Sequence, residues 1–218
     1  MGIGANACKS RRIELAALIV GLIAALCLAW LATNVTRGET TPVDENVRDS
    51  IHSISSPGVT QLFSAITVLG SQGVVIGFSA CSAILMFLKR RRDRALLVVG
   101  AMAGAELLLP ILKNHFHRPR PEPFFGARLP PSYSFPSGHA LLSFCCYGLL
   151  ATLAGAYLRG RFRWLIRICA AALILAIGVS RIYLGLHYPT DVIAGYLAAI
   201  AWMAAVAAIY THLATMGT

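Results

Sequence analysis

Three short stretches hold the residues whose types and spacing could do chemistry. KNHFHRPRP supplies Lys113 and Arg120, FPSGH supplies Ser137, Gly138 and His139, and SRIYLGLHYPTD supplies Arg181, His187 and Asp191. Pro136 closes a loop, so the amides of Ser137, Gly138 and His139 open a helix as first-turn donors without intrahelical acceptors. Such a helix start favours an anion through its free amides and its dipole, and Gly138 lets an oxyanion come close. Lys113, Arg120 and Arg181 add three cations, a set suited to a doubly charged phosphate. His187 and Asp191 stand four apart where Pro189 fits the first turn of a helix. A carboxylate that holds the Nδ1 proton of His187 leaves Nε2 as a nucleophile, and His139 is a second titratable group, free to protonate a leaving oxygen. Asp191 is the one carboxylate in this constellation, whereas Mg²⁺ would want several oxygen ligands. Neither a metal nor a cofactor is therefore expected.

These residues can act together only if the chain brings them to one place, and composition says in which solvent it does so. Of 218 residues 57% are hydrophobic and 13% charged, against about 25% charged in soluble domains; with a mean hydropathy of +0.68 the chain reads as an integral membrane protein. A bilayer core of roughly 30 Å needs about 20 apolar residues per helix. Six stretches meet that need, at about residues 13–33, 60–88, 95–112, 137–158, 165–184 and 190–212. The first follows Lys9, Arg11 and Arg12 and is too long for a cleaved signal's apolar region, so it reads as a retained anchor. The second is rich in Gly and Ser, and the third is interrupted by Glu106 and Pro110. An amphipathic stretch from Val43 to Ile54 reads as a short interfacial helix. The loop at 113–136 holds six of the ten prolines and has no helical or strand period. With no internal repeat, the expectation is an all-α, polytopic membrane protein of six transmembrane helices, one domain over residues 1–218.

Basic residues near the span ends set the orientation. Lys9, Arg11 and Arg12 precede span one; Lys89, Arg90, Arg91, Arg92 and Arg94 join spans two and three; Arg159, Arg161, Arg163 and Arg167 join spans four and five. Twelve of the 19 Lys and Arg thus fall on one side, which predicts cytoplasmic termini and accounts for the net charge without nucleic acid. The other seven, Arg37, Arg48, Lys113, Arg118, Arg120, Arg128 and Arg181, fall on the outer side against the positive-inside bias and need a local reason. The six cysteines show no CxxC spacing, and Cys27, Cys81, Cys145, Cys146 and Cys169 lie in apolar stretches, so they read as small hydrophobes.

As spaced, the three stretches resemble the signature KxxxxxxRP, PSGH, SRxxxxxHxxxD of the type 2 phosphatidic acid phosphatase (PAP2) superfamily. The resemblance implies the helical bundle shared with haloperoxidases and a metal-independent phosphatase. It implies that His187 attacks phosphorus in line to form a phosphohistidine, that Asp191 orients it, and that His139 protonates the departing oxygen and then activates water. Lys113, Arg120, Ser137, Gly138 and Arg181 would bind the phosphoryl oxygens. The expected substrate is a lipid mono- or diphosphate at the outer leaflet of the plasma (inner) membrane. Phosphatidic acid, phosphatidylglycerol phosphate and undecaprenyl diphosphate all present a terminal phosphate, and an outward-facing site on a compact chain points first to the last. Two alternatives remain open: a phosphotransferase passing the phosphoryl group to a lipid hydroxyl, and a lipid-phosphate carrier or flippase, although transporters commonly show inverted repeats. His52, His115, His117 and His212 read as surface or interfacial residues. Glu106, ionisable within a span, is either functional or a hydrogen-bond partner for a neighbouring helix near Pro110.

Overall fold

In a computed structural model that describes residues 2–126 and 129–216, with side chains from Ser10 to Thr215, every regular element is helical. Arg128 and the side chains of Cys8 and Lys9 lie outside the described residues. The helices are α1 (Gly2–Thr36), α2 (Thr41–Ser53), α3 (Pro57–Leu69), α4 (Gln72–Leu88), α5 (Arg92–Phe116), α6 (Gly138–Gly155), α7 (Arg161–Tyr183) and α8 (Pro189–Met216), with a 3₁₀ turn at Phe124–Gly126. Five helical segments are long and apolar enough to cross a membrane: Ser10–Thr36, Arg92–Phe116, Gly138–Gly155, Arg161–Tyr183 and Pro189–Thr215. The chain is a multi-pass membrane protein.

Two spans differ from expectation. The stretch read as one span over 60–88 is two helices, α3 and α4, bent by 46° at Gly70-Ser71. Gly70 ends α3 with its amide on the Thr67 and Val68 carbonyls, and Ser71 is extended at ψ 146°, so the helical ladder stops for two residues. α3 begins earlier than read, because Pro57 occupies its first turn and the Ser56 hydroxyl accepts the Val59 amide at 3.4 Å. The stretch read as 95–112, interrupted by Glu106 and Pro110, is instead one unbroken helix through both residues. Proline removes a single amide from the ladder, and the flanking turns continue until His117 takes the left-handed conformation (φ 51°) and ends α5. Glu106 does bond to a neighbouring helix: Gln72 Nε2, on the first turn of α4, donates to its Oε2 at 2.6 Å. That bond ties α5 to the α3–α4 bend.

The central cluster is built from Val75 of α4, Met102 and Ala105 of α5, Leu141, Leu142, Cys145 and Cys146 of α6, and Ala198 and Ala199 of α8. Ala105, Ala198 and Ala199 in this cluster are small residues of the kind that let helices pack closely in lipid. At one end of the bundle the basic connections meet: Arg94 donates to Tyr157 at 2.6 Å, Tyr210 donates to Asp93 at 3.1 Å, and His212 lies 3.3 Å from Glu14. The opposite end collects α2, the bend, the proline-rich loop and the starts of α6 and α8.

Candidate active site

His187 stands in the tight reversal between α7 and α8, and the sequence explains how it gets there. Gly185 has φ +74°, a left-handed conformation that favours glycine, and a Cβ on it would collide with the Phe124 backbone. The turn lets the Leu186 and His187 amides donate back to the Arg181 carbonyl at 3.0 and 3.3 Å, so Arg181 and His187 are held together across the reversal. α8 then starts at Pro189, with Asp191 in its first turn. Asp191 Oδ2 accepts the Tyr188 amide at 2.9 Å, half of a capping box, and also faces His187 Nδ1 at 3.3 Å.

On the other edge of the ring, Arg120 Nη1 lies 3.1 Å from His187 Nε2. A guanidinium can only donate. Nε2 is therefore the acceptor, and the ring proton sits on Nδ1 facing Asp191. His187 is 2% exposed and Asp191 is closed to solvent. Burial pushes the imidazole down to about 4, against the bond and charge of Asp191, which push up, while Arg120 and Arg181 push further down. The ring is thus neutral at pH 7 with a directed lone pair. Burial also lowers Arg120, which Asp191 partly offsets.

The cations reach this point from three elements. Lys113, on the last turn of α5, donates to the Tyr133 carbonyl. Pro119 and Pro121 hold the chain extended around Arg120, whose Nε donates to the Ser132 carbonyl at 2.8 Å and whose Nη1 donates to the Leu186 carbonyl at 2.9 Å. Arg181 of α7 donates to Thr67 of α3 at 2.8 Å. The start of α6 supplies the remaining residues. The Ser137 amide donates to the Asp191 carbonyl at 2.9 Å, so it is not free as the sequence suggested; Gly138 and His139 keep first-turn amides. Gly195 permits this docking, because a Cβ there would stand 2.6 Å from the Ser137 carbonyl oxygen. Gly138 also serves packing, since a Cβ on it would lie 2.9 Å from Leu109 Cδ2.

His139 lies in the electrostatic field of Arg181, His187, Arg120 and Lys113, and a Cβ on Gly70 at the α3–α4 bend would come 3.1 Å from its ring. All eight residues singled out from sequence therefore converge. Ser137 Oγ and Arg181 Nε are buried with no hydrogen-bond partner among the described residues, a costly state for polar atoms unless a ligand completes them. Asp191 spends both carboxylate oxygens on protein donors, and no cluster of three or more His, Cys, Asp or Glu suited to a metal occurs among the described residues.

Two residues escaped the sequence reading. Arg118 Nη1 donates to Asp191 Oδ1 at 2.7 Å, and its Nη2 donates to Asp44 of α2 at 2.8 Å. Arg118 had one available signal, its place against the positive-inside bias. Asp44 had another, its i, i+4 spacing from Arg48 on the protein-facing side of α2, where Arg48 donates to the Glu122 carbonyl at 2.7 Å. His52, read as a surface or interfacial residue, is half-buried and stacks on Phe124 at 3.9 Å.

Comparison with known proteins places the chain in a family. Phosphatidylglycerophosphatase B of Bacillus subtilis is 28% identical over 168 residues, 76% of this chain and 82% of its own. An undecaprenyl-diphosphatase of Sulfolobus acidocaldarius is 34% identical over 122 residues, 53% of this chain and 55% of its own. The crystal structure of a transmembrane PAP2 type phosphatidylglycerolphosphate phosphatase from Bacillus subtilis superimposes with a TM-score of 0.79 at 26% identity, covering 86% of this chain and 94% of that one. The sequence profile of the PAP2 superfamily matches residues 94–214, a stretch that holds every one of the eight convergent residues, and the chain belongs to that superfamily.

Proposed function

We propose that the protein is a metal-independent lipid phosphate phosphatase working through a phosphohistidine on His187. The observation that carries this reading is the orientation of the buried imidazole: Nδ1 on Asp191, Nε2 facing Arg120. A terminal phosphate entering among Lys113, Arg120 and Arg181 takes Arg120's hydrogen bond from Nε2, and the freed lone pair attacks phosphorus. The bond from phosphorus to the lipid oxygen breaks as the new P–N bond forms, and His139 donates the proton the leaving oxygen needs. In the second half His139 takes a proton from water, which attacks phosphorus and returns His187. Ser137 Oγ, the Gly138 amide and Arg181 Nε supply donors to the phosphoryl oxygens whose charge grows in the transition state.

The substrate is a lipid mono- or diphosphate. The relatives named above act, by their names, on phosphatidylglycerophosphate and on undecaprenyl diphosphate, and the former matches over more of this chain. The membrane is the plasma (inner) membrane, with both termini cytoplasmic and the site on the outer face, because Arg94, Arg163 and their basic neighbours gather at the end opposite His187. A tag at residue 92 accessible only from the cytoplasm tests that orientation. For the activity, purified protein in detergent with EDTA is given phosphatidylglycerol phosphate, phosphatidic acid and undecaprenyl diphosphate. Inorganic phosphate released in step with dephosphorylated lipid supports hydrolysis. Phosphoryl transfer to a lipid hydroxyl without phosphate release would make it a phosphotransferase, and activity that EDTA removes would overturn metal independence.

A further inference from the structure

Asp191 can hold His187 only if something holds Asp191. The structure assigns that task to Arg118 and Asp44, which we infer to be positioning residues for the attack on phosphorus. The inference rests on the nucleophile assigned above. Arg118 places one guanidinium nitrogen on Asp191 Oδ1 at 2.7 Å, which leaves Oδ2 for His187 Nδ1 and the Tyr188 amide. The same nitrogen donates to Thr190 Oγ1 at 2.8 Å, and the Tyr188 ring covers the guanidinium at 4.1 Å. Its other fork goes to Asp44 Oδ2, and Asp44 in turn accepts the Thr190 hydroxyl at 2.6 Å and the Thr190 amide at 3.0 Å. Asp44 thereby fixes both the arginine and the first turn of α8.

Neither residue touches the phosphate cradle, yet Asp44 is closed to solvent, the Arg118 side chain is only 10% exposed, and both carboxylates that Arg118 bridges have their oxygens paired. A buried cation bridging two carboxylates is a geometric device more than a source of stability. Here the device stretches from α2 through the proline-rich loop to α8 and ends on the attacking imidazole.

The test separates positioning from simple folding damage by the sign of a pH shift. The charged and titratable groups around His187 are Asp191 at its own helix start, Arg120 from the loop, Arg181 from α7 and His139 from α6, with Lys113 of α5 acting on Arg120, Arg181 and Asp191. Arg118→Met removes a cation from behind Asp191, so His187 is protonated more readily and the acid limb of kcat/KM moves to higher pH. Asp44→Asn removes an anion from behind Arg118 and moves the limb to lower pH, each by about half a unit or more. Arg118→Lys keeps the charge but loses the fork, so kcat falls while the limb stays. In all three variants kcat for phosphate release falls by about 10- to 100-fold, with KM within about threefold, measured on the folded fraction after size exclusion and corrected for substrate ionisation. Limbs of Arg118→Met and Asp44→Asn that do not move, or move together, overturn the inference, as does kcat equal to wild type in any of the three. A His187→Ala enzyme that still turns over overturns the nucleophile assignment and the inference with it, whereas dependence on His187 without opposite limb shifts overturns the inference alone.

Discussion

At the basic end of the bundle Arg94 meets Tyr157 and His212 meets Glu14 in pairs that are half-buried to exposed, whereas at the other end Asp44, Asp191 and His187 are closed to solvent and Arg118 joins two of them with its side chain only 10% exposed. Both ends are rich in arginine, so charge count does not distinguish them. Burial does. An exposed charge is screened and contributes little; a buried one must be paired or must await a ligand. The first kind fits a role in topology, the second the proposed chemistry. Even within the site end the contrast holds: Arg37 pairs with Glu39 at 3.9 Å with both side chains largely exposed, while Arg181 is buried and its Nε has no partner among the described residues.

Substitutions should preserve this contrast in order of size. The largest loss falls on His187→Ala, where phosphate release should drop by about 10⁴-fold or more, and Asp191→Asn should follow at about 10²- to 10⁴-fold because the ring loses its tautomer and orientation. Stopped assays on purified variants measure both. Next comes stability. Gly185→Ala forces a Cβ toward Phe124 at φ +74°, a cost of about 1–3 kcal/mol that thermal unfolding in detergent should register. The pH dependence is a related test. His187 titrates near 4 when folded against an ordinary 6.5, so as pH falls below 6.5 the unfolded chain takes the proton first. Stability should then decline between about pH 6.5 and 4, by about 3 kcal/mol at the low end. A His187→Gln protein should lack that part of the decline. The smallest effect is at the basic end: Arg94→Ala should change stability by less than about 0.5 kcal/mol and leave kcat unaltered. A large catalytic loss there would erase the distinction between the ends.

The candidate site was legible as a set of residues because phosphoryl chemistry restricts residue types at fixed spacings. Arg181, His187 and Asp191 keep their intervals since a Gly185 turn and a helix start connect them, and such local geometry is written in consecutive residues. The pairing of Asp44 with Arg118 is different, for it joins α2 to a loop 74 positions away, and nothing local to either residue specifies the partner. The bend at Gly70-Ser71 was hidden for another reason: hydropathy runs on through 60–88, and glycine and serine are ordinary within membrane helices. Pro110 misled in the opposite direction, because lipid and neighbouring helices sustain a ladder that one missing amide would weaken in water. The Ser137 amide, read as free, is taken by the Asp191 carbonyl, a contact between helices that no single stretch encodes.

The proposed mechanism requires a covalent bond between phosphorus and His187, and that bond can be sought directly. Protein mixed with a lipid carrying a labelled terminal phosphate, quenched in alkali during turnover and digested, should carry the label on the peptide containing His187. Label on a different side chain, or none while phosphate is released at the full rate, would contradict it.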